Sequence, residues 1–195
     1  MGNIQLTSRD IGLLQDLYQQ CVLSFRQICG RHFSNVGRTA ASERLKALKN
    51  SGMVQYFYVG NLIYKLQPHR VGHVYMITKK GIQAIAPIFK DCFRSSPIPL
   101  NTTSLPHDLL LTEVMSAVKK RFPKSKLLHG NLIPDDMLGN IKRPDAVMLD
   151  RNSQPVVALE LELTRKTGFR YREIVDRYST RSSIKSIIYF LEDES

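Results

Sequence analysis

The spacing of apolar residues changes rhythm along this chain, and the changes divide it into helices and strands. After Leu6-Thr-Ser-Arg-Asp10, the residues Ile11, Leu13, Leu14, Leu17 and Tyr18 recur at helical spacing. That predicts a first helix entered through Thr7 or Ser8 as N-cap, with Asp10 suited to its first-turn dipole. A shorter helix is predicted over residues 24–32, with Phe25 and Ile28 inward and Asn35-Val-Gly37 as its break. Residues 38–50 make the third. There Ala41, Leu45 and Leu48 follow the i, i+4, i+7 stripe, and Ser51-Gly52 ends the helix. Strand-like runs then take over at 53–59, 62–65 and 74–77, with Gly60-Asn61 as a hairpin turn, before a helix from Thr78 through Ile85.

Residues 95–104 are rich in Pro, Ser and Thr and read as a linker between a domain at 1–94 and another at 105–195. The second opens with a helix over 106–122. Ser104 is its cap, Pro106 sits in its first turn, Leu110, Val114, Ala117 and Val118 face inward, and Lys119, Lys120 and Arg121 lie at its C-terminal end. A short strand at 126–129 and a loop at 131–140 follow. Two apolar strands, 143–150 and 156–164, flank the turn-like Arg151-Asn-Ser-Gln-Pro155. A helix at 168–179 partly buries Phe169, Ile174 and Tyr178. The last strand, 184–191, is apolar enough to be central. The fold class is mixed, α+β or α/β.

Composition adds direction. Of the 195 residues, 43% are hydrophobic and 23% charged, an ordinary globular balance. The net charge of +11 suits a polyanionic partner. Residues 1–104 hold 13 Lys and Arg against four Asp and Glu, a net of +9, while residues 105–195 hold 15 against 13, a net of +2. The first half is the one expected to grip nucleic acid. Cys21, Cys29 and Cys92 lack metal or redox spacing and read as small apolar residues of a reducing compartment. No signal peptide or membrane-length run is present, so a cytoplasmic protein without a membrane span is expected.

Three helices, a strand hairpin and a closing helix are the order of a winged helix-turn-helix. Ile77-Thr-Lys-Lys-Gly81 resembles the ending of many bacterial winged-helix regulators. In that arrangement the third helix enters the major groove of double-stranded DNA. Arg38, Thr39, Ser42 and Arg44 contact bases or phosphates there, and Lys65, Arg70 and Lys79 hold the backbone near the wing. Lys46 belongs to the same face. For Lys46 and Lys49 the plainer reading is a solvated helix face.

The chemistry concentrates in the second half. Asp145, Glu160 and Glu162 interrupt runs that are otherwise Val, Leu, Met and Ala. Alternation places Glu160 and Glu162 on one strand face and Leu159, Leu161 and Leu163 on the other. Buried carboxylates need a cationic partner, and a divalent metal held by Asp145, Glu160 and Glu162 is the simplest. The plainer alternative is a solvent-facing strand edge bearing acids. Arg165, Lys166, Arg170 and Arg172 form a basic cluster just after the acids, either contacting phosphate or lining a solvated helix. Asp135 and Asp136 read as turn acids, and Tyr171 as a packing residue. His69, His73 and His129 have no ligand spacing.

Pro144-Asp145 on the second strand and Glu160-x-Glu162 on the third resemble the core of the PD-(D/E)xK nucleases, a restriction-endonuclease-like αβββαβ domain. The resemblance implies that Asp145 and Glu160 bind Mg²⁺ or Mn²⁺, and that the metal activates water. The family's lysine position is Glu162 in this chain. Lys166 or Arg165 can supply the missing cation, or Glu162 can itself bind metal or act as base. Glu113 can add an acid from the first helix. Taken with Leu6-Thr-x-Arg-Asp10 and Pro106-His107-Asp108, these motifs make the chain similar to the replication-relaxation family, which includes the MOBC-type relaxases. That resemblance implies a metal-dependent DNA nickase acting at a transfer origin, with His107 as a further ligand or base and with relaxosome accessory or coupling proteins as partners. Two alternatives stand beside it: a DNA-binding regulator with an inactive nuclease-like domain, and a restriction-like nuclease that cuts both strands.

Overall fold

The computed structural model describes residues 4–60, 72–89, 94–138, 143–163, 167–179 and 183–191. The chain is a mixed α and β protein in two compact units, Met1–Leu109 and Leu110–Ser195.

The first unit is set up by its caps. Helix α1 (Ser8–Gln20) starts at Thr7, whose hydroxyl accepts from the Asp10 amide while the Asp10 carboxylate accepts from the Thr7 amide. The two-residue strand β1 (Leu23–Ser24) runs into α2 (Phe25–His32), where Ser24 and Gln27 repeat the same reciprocal cap. Gly37 opens α3 (Arg38–Asn50), which buries Ala41, Leu45 and Leu48. Strand β2 (Val54–Gly60) pairs antiparallel with β3 (Gly72–Ile77), and β1 pairs with the other side of β3. The returning strand of the hairpin is therefore 72–77. The strand expected at 62–65 lies outside the described residues.

Helix α4 (Lys79–Ile85) closes the unit, and its entry explains the Thr-Lys-Lys-Gly motif. Thr78 accepts from the Gly81 amide at 3.1 Å and donates its hydroxyl to the Gly52 carbonyl at 2.6 Å. A Cβ on Gly81 would collide with the Met53 carbonyl oxygen, so only glycine lets the helix start so close to the preceding turn.

Helix α5 (Leu105–Arg121) begins in the first unit. Leu105 and Leu109 pack there with Val22, Val74 and Met76. The division between units thus falls inside α5, later than the Pro- and Ser-rich segment expected to carry it. That segment marks an irregular path, but the apolar start of the helix decides where the first core ends.

In the second unit β4 (Lys126–His129) is followed by a 3₁₀ turn at Gly130–Leu132 and the short helix α6 (Asp135–Leu138), where a plain loop was expected. Then come β5 (Ala146–Leu149), β6 (Pro155–Glu162), α7 (Gly168–Ser179) and β7 (Ser186–Leu191). The sheet order is β4-β5-β6-β7, with β4, β5 and β6 antiparallel and β7 parallel to β6 across the α7 connection. Strand β7 is terminal in this order, not central as its apolarity suggested. The central strands are β5 and β6, which carry the acids. Between them Asp150 accepts from the amides of Asn152 and Gln154, both at 2.9 Å, and so closes the turn.

One face of this sheet packs Ala146, Leu159 and Leu161 against Leu111, Met115 and Val118 of α5. The opposite face presents Glu160 and Glu162. Helix α7 supplies its cover, with Ile174 and Tyr178 buried. Phe169, expected to be partly buried, is 78% exposed.

Candidate functional site

The residues singled out in the sequence fall in two places, one in each unit, and the position of each follows from how its elements are held. In the first unit, the three buried positions of α3 leave Arg38, Thr39, Ser42, Lys46 and Lys49 exposed on the remaining surface of the helix. The Arg38 guanidinium lies 5.6 Å from the Phe25 ring centroid, and the Lys49 ammonium 4.4 Å from that of Tyr56. Lys79 is exposed at the start of α4. Lys65 and Arg70 lie outside the described residues.

Arg44 departs from the expected role. Its Nε donates to Asp10 Oδ1 at 2.8 Å and its Nη2 to the Gln5 carbonyl at 2.9 Å. Asp10 has no exposed surface. Burial alone would raise the Asp10 pKa, but hydrogen bonds from Arg44 and Thr7 outweigh it and hold the carboxyl below its ordinary value. The same bond raises the Arg44 pKa. Arg44 therefore ties α3 to the capping box of α1 instead of standing on the open face. Nothing in a helical wheel of α3 could show this, because its partner lies 34 residues away.

In the second unit the acids are positioned by the β5–β6 pairing. Asp145 directly precedes β5, and its Oδ2 accepts from the Leu161 amide at 2.7 Å. Its own carbonyl accepts from the Gly130 amide at 2.7 Å. Arg143 donates to the carbonyls of Gly130 and Ile133, at 2.9 and 2.6 Å, and pairs with Asp135. That arginine braces the segment that delivers Asp145. Glu160 and Glu162 are 5% and 8% exposed.

Helix α7 and strand β7 bring tyrosines to these acids. The Tyr178 hydroxyl donates to Glu160 Oε1. Burial, then that hydrogen bond, then the Glu160 charge push the Tyr178 pKa far up. Tyr189 stands opposite Glu160 in the β6–β7 register. Its pKa is pushed up to about 12 by burial, by Glu160, and by lesser contributions from Tyr171, Glu162 and Asp145. The Tyr189 hydroxyl is buried and has no hydrogen-bond partner among the described residues. Tyr171 meets the Tyr189 ring edge-on at 5.4 Å, a packing contact between α7 and β7. Tyr178 and Tyr189 are the residues that strand and helix patterns missed as parts of this site. The available signal was the seven-residue spacing of Tyr171 and Tyr178 on α7.

Among the described residues no group of three or more His, Cys, Asp or Glu side chains is placed to hold a metal. Glu160 receives a phenol and Asp145 a backbone amide. Glu113 lies on α5, whose Leu111, Met115 and Val118 pack on the leucine face of the sheet. His107 belongs to the first unit, where its Nδ1 is 3.6 Å from Asp108 Oδ1. Arg165 and Lys166 lie outside the described residues. Arg170 and Arg172 are exposed on α7.

No protein-family model, no curated protein and no solved structure matches this chain. Among the described residues no helix is long and apolar enough to cross a membrane.

Proposed function

We propose that this chain is a DNA-binding protein of winged helix-turn-helix type, and that its restriction-endonuclease-like second unit is an interaction platform in the processing or mobilisation of a DNA element. The observation that carries the reading is the exposed face of α3, where Arg38, Thr39, Ser42, Lys46 and Lys49 stand together in a segment of net charge +9. Such a helix can enter a major groove, with the hydroxyls toward base edges and Arg38 and the lysines toward phosphates. The test is the salt dependence of duplex binding by the full chain. Arg38→Ala and Lys46→Ala should each reduce the slope of log affinity against log salt by about 0.9 for every phosphate the side chain neutralises. An unchanged slope in both variants would sink this assignment of the interface.

The platform reading of the second unit rests on the acids. Glu160 is engaged by Tyr178, and Glu162 stands where a nuclease of this type carries its lysine.

A second reading, a Mg²⁺- or Mn²⁺-dependent nickase of the relaxase kind, is favoured by one observation. Two glutamates are buried on the same strand face beside Asp145, a costly placement for charge that serves no packing purpose. Incubating supercoiled plasmid with the protein, with metal or with chelator, separates the two. Open circles that need metal and vanish in Asp145→Ala would establish the nickase, linear product would mean double-strand cutting, and intact plasmid bound by the protein supports the platform.

A further inference from the structure

The outer face of the β2–β3 sheet carries a row of rings that the docking of α3 leaves unexplained. Register pairs Tyr56 with Tyr75 and Tyr58 with His73, so these four side chains share one face. The other face holds Val74 and Met76 in the core. Consecutive ring centroids are close: Phe25 to Tyr75 6.3 Å, Tyr75 to Tyr56 5.9 Å, Tyr56 to His73 5.2 Å and His73 to Tyr58 5.3 Å.

Cross-strand aromatic pairs stabilise a sheet, and that accounts for Tyr75. It does not account for the outer end of the row, where Tyr56 is 41% and Tyr58 70% exposed. Cations flank the row: Lys49 sits over Tyr56 and donates to its hydroxyl at 3.3 Å, and Arg38 sits over Phe25. Strands β2 and β3 contain no acidic residue. Open ring faces edged by cations, in a segment of net +9, match the chemistry that holds single-stranded nucleic acid. There every base offers a π face, and the phosphates pair with neighbouring lysine and arginine.

We propose that this face is a stacking platform for an unpaired DNA strand, with bases on Tyr58 and Tyr56 and phosphates at Lys49. The proposal deepens the reading of α3 as a duplex-binding helix and rests on it. Helix and platform together would take a junction between duplex and opened strand, a substrate that α3 alone would not distinguish from plain duplex.

The test is fluorescence anisotropy of the full chain with labelled oligothymidylate and, separately, with a labelled duplex. Tyr58→Ala should weaken binding of the single strand roughly tenfold, the loss of one base stack. It should leave duplex affinity and melting temperature unchanged, because the ring is largely outside the fold. Tyr58→Phe should retain single-strand binding. An equal single-strand affinity in wild type and Tyr58→Ala overturns the proposal, and so does an equal loss for both ligands. Wild-type protein that ignores oligothymidylate yet binds duplex overturns the platform and spares the reading of α3. Binding of the single strand alone, lost in Tyr58→Ala, removes the reading of α3 and with it the junction substrate, and leaves only a single-strand stacking face.

Discussion

Arg44 illustrates how one ion pair reassigns a residue. It stands among surface cations in the sequence, yet its guanidinium is the partner of a carboxylate with no exposed surface. Removing it leaves Asp10 charged and buried, which costs far more than loss of a surface pair. Arg44→Ala should therefore lower stability to urea by roughly 3 kcal/mol, whereas Arg38→Ala, at an exposed position, should leave it nearly unchanged. Equal, small effects for both would mean that the Asp10 pairing contributes little. The tyrosines of the acidic site give a prediction in pH. Tyr189 titrates from an ordinary value of 10.0 in the unfolded chain to about 12 in the fold, and Tyr178 shifts in the same direction. A folded pKa above the unfolded one stabilises the protein below the unfolded value, and that stability is lost as pH rises through the folded value. Stability should therefore fall between about pH 10 and pH 12. Tyr189→Phe should flatten that fall, as followed by circular dichroism and tyrosinate absorbance. A wild-type curve no steeper than that of the variant would contradict the burial of this hydroxyl.

Among the elements, two short connections do more than join their neighbours. Thr78 and Gly81 lock the start of α4 onto the turn after α3. Gly130 does the equivalent for the acidic strand. A Cβ there would collide with the Pro144 carbonyl and stand 2.9 Å from that of Asp145. Gly130→Ala should cost about 1–3 kcal/mol through this crowding, and it should displace Asp145 from the Leu161 amide. Amide hydrogen exchange at Leu161 reads the second effect directly. Unchanged protection there, with unchanged stability, would show that the backbone yields at no cost.

For the whole molecule, charge is unevenly spread: residues 1–104, which include α3, carry a net +9, and residues 105–195, which include the carboxylates and tyrosines, a net +2. A ligand that binds only the folded state raises its melting temperature. If the second unit is a platform without a metal site, millimolar Mg²⁺ should leave the melting temperature of the free protein unchanged. A clear rise in wild type that disappears in Glu160→Gln would show that the acids do take up the ion, and would move the balance to the nickase.

What the sequence determined by itself was local. The spans of the longer helices in both units could be read from apolar spacing, caps and glycine stops, because these signals act within a few residues, whereas the short α6 could not. The separation of Glu160 and Glu162 from Leu159 and Leu161 followed from strand alternation alone. Tertiary structure decided what depends on distant partners. It paired Arg44 with Asp10, put β7 at the end of its sheet and set Tyr178 and Tyr189 against Glu160. It also assigned Leu105 and Leu109 to the first core. Each of these pairings joins residues that no local period connects, and each was settled by which surfaces could be buried together.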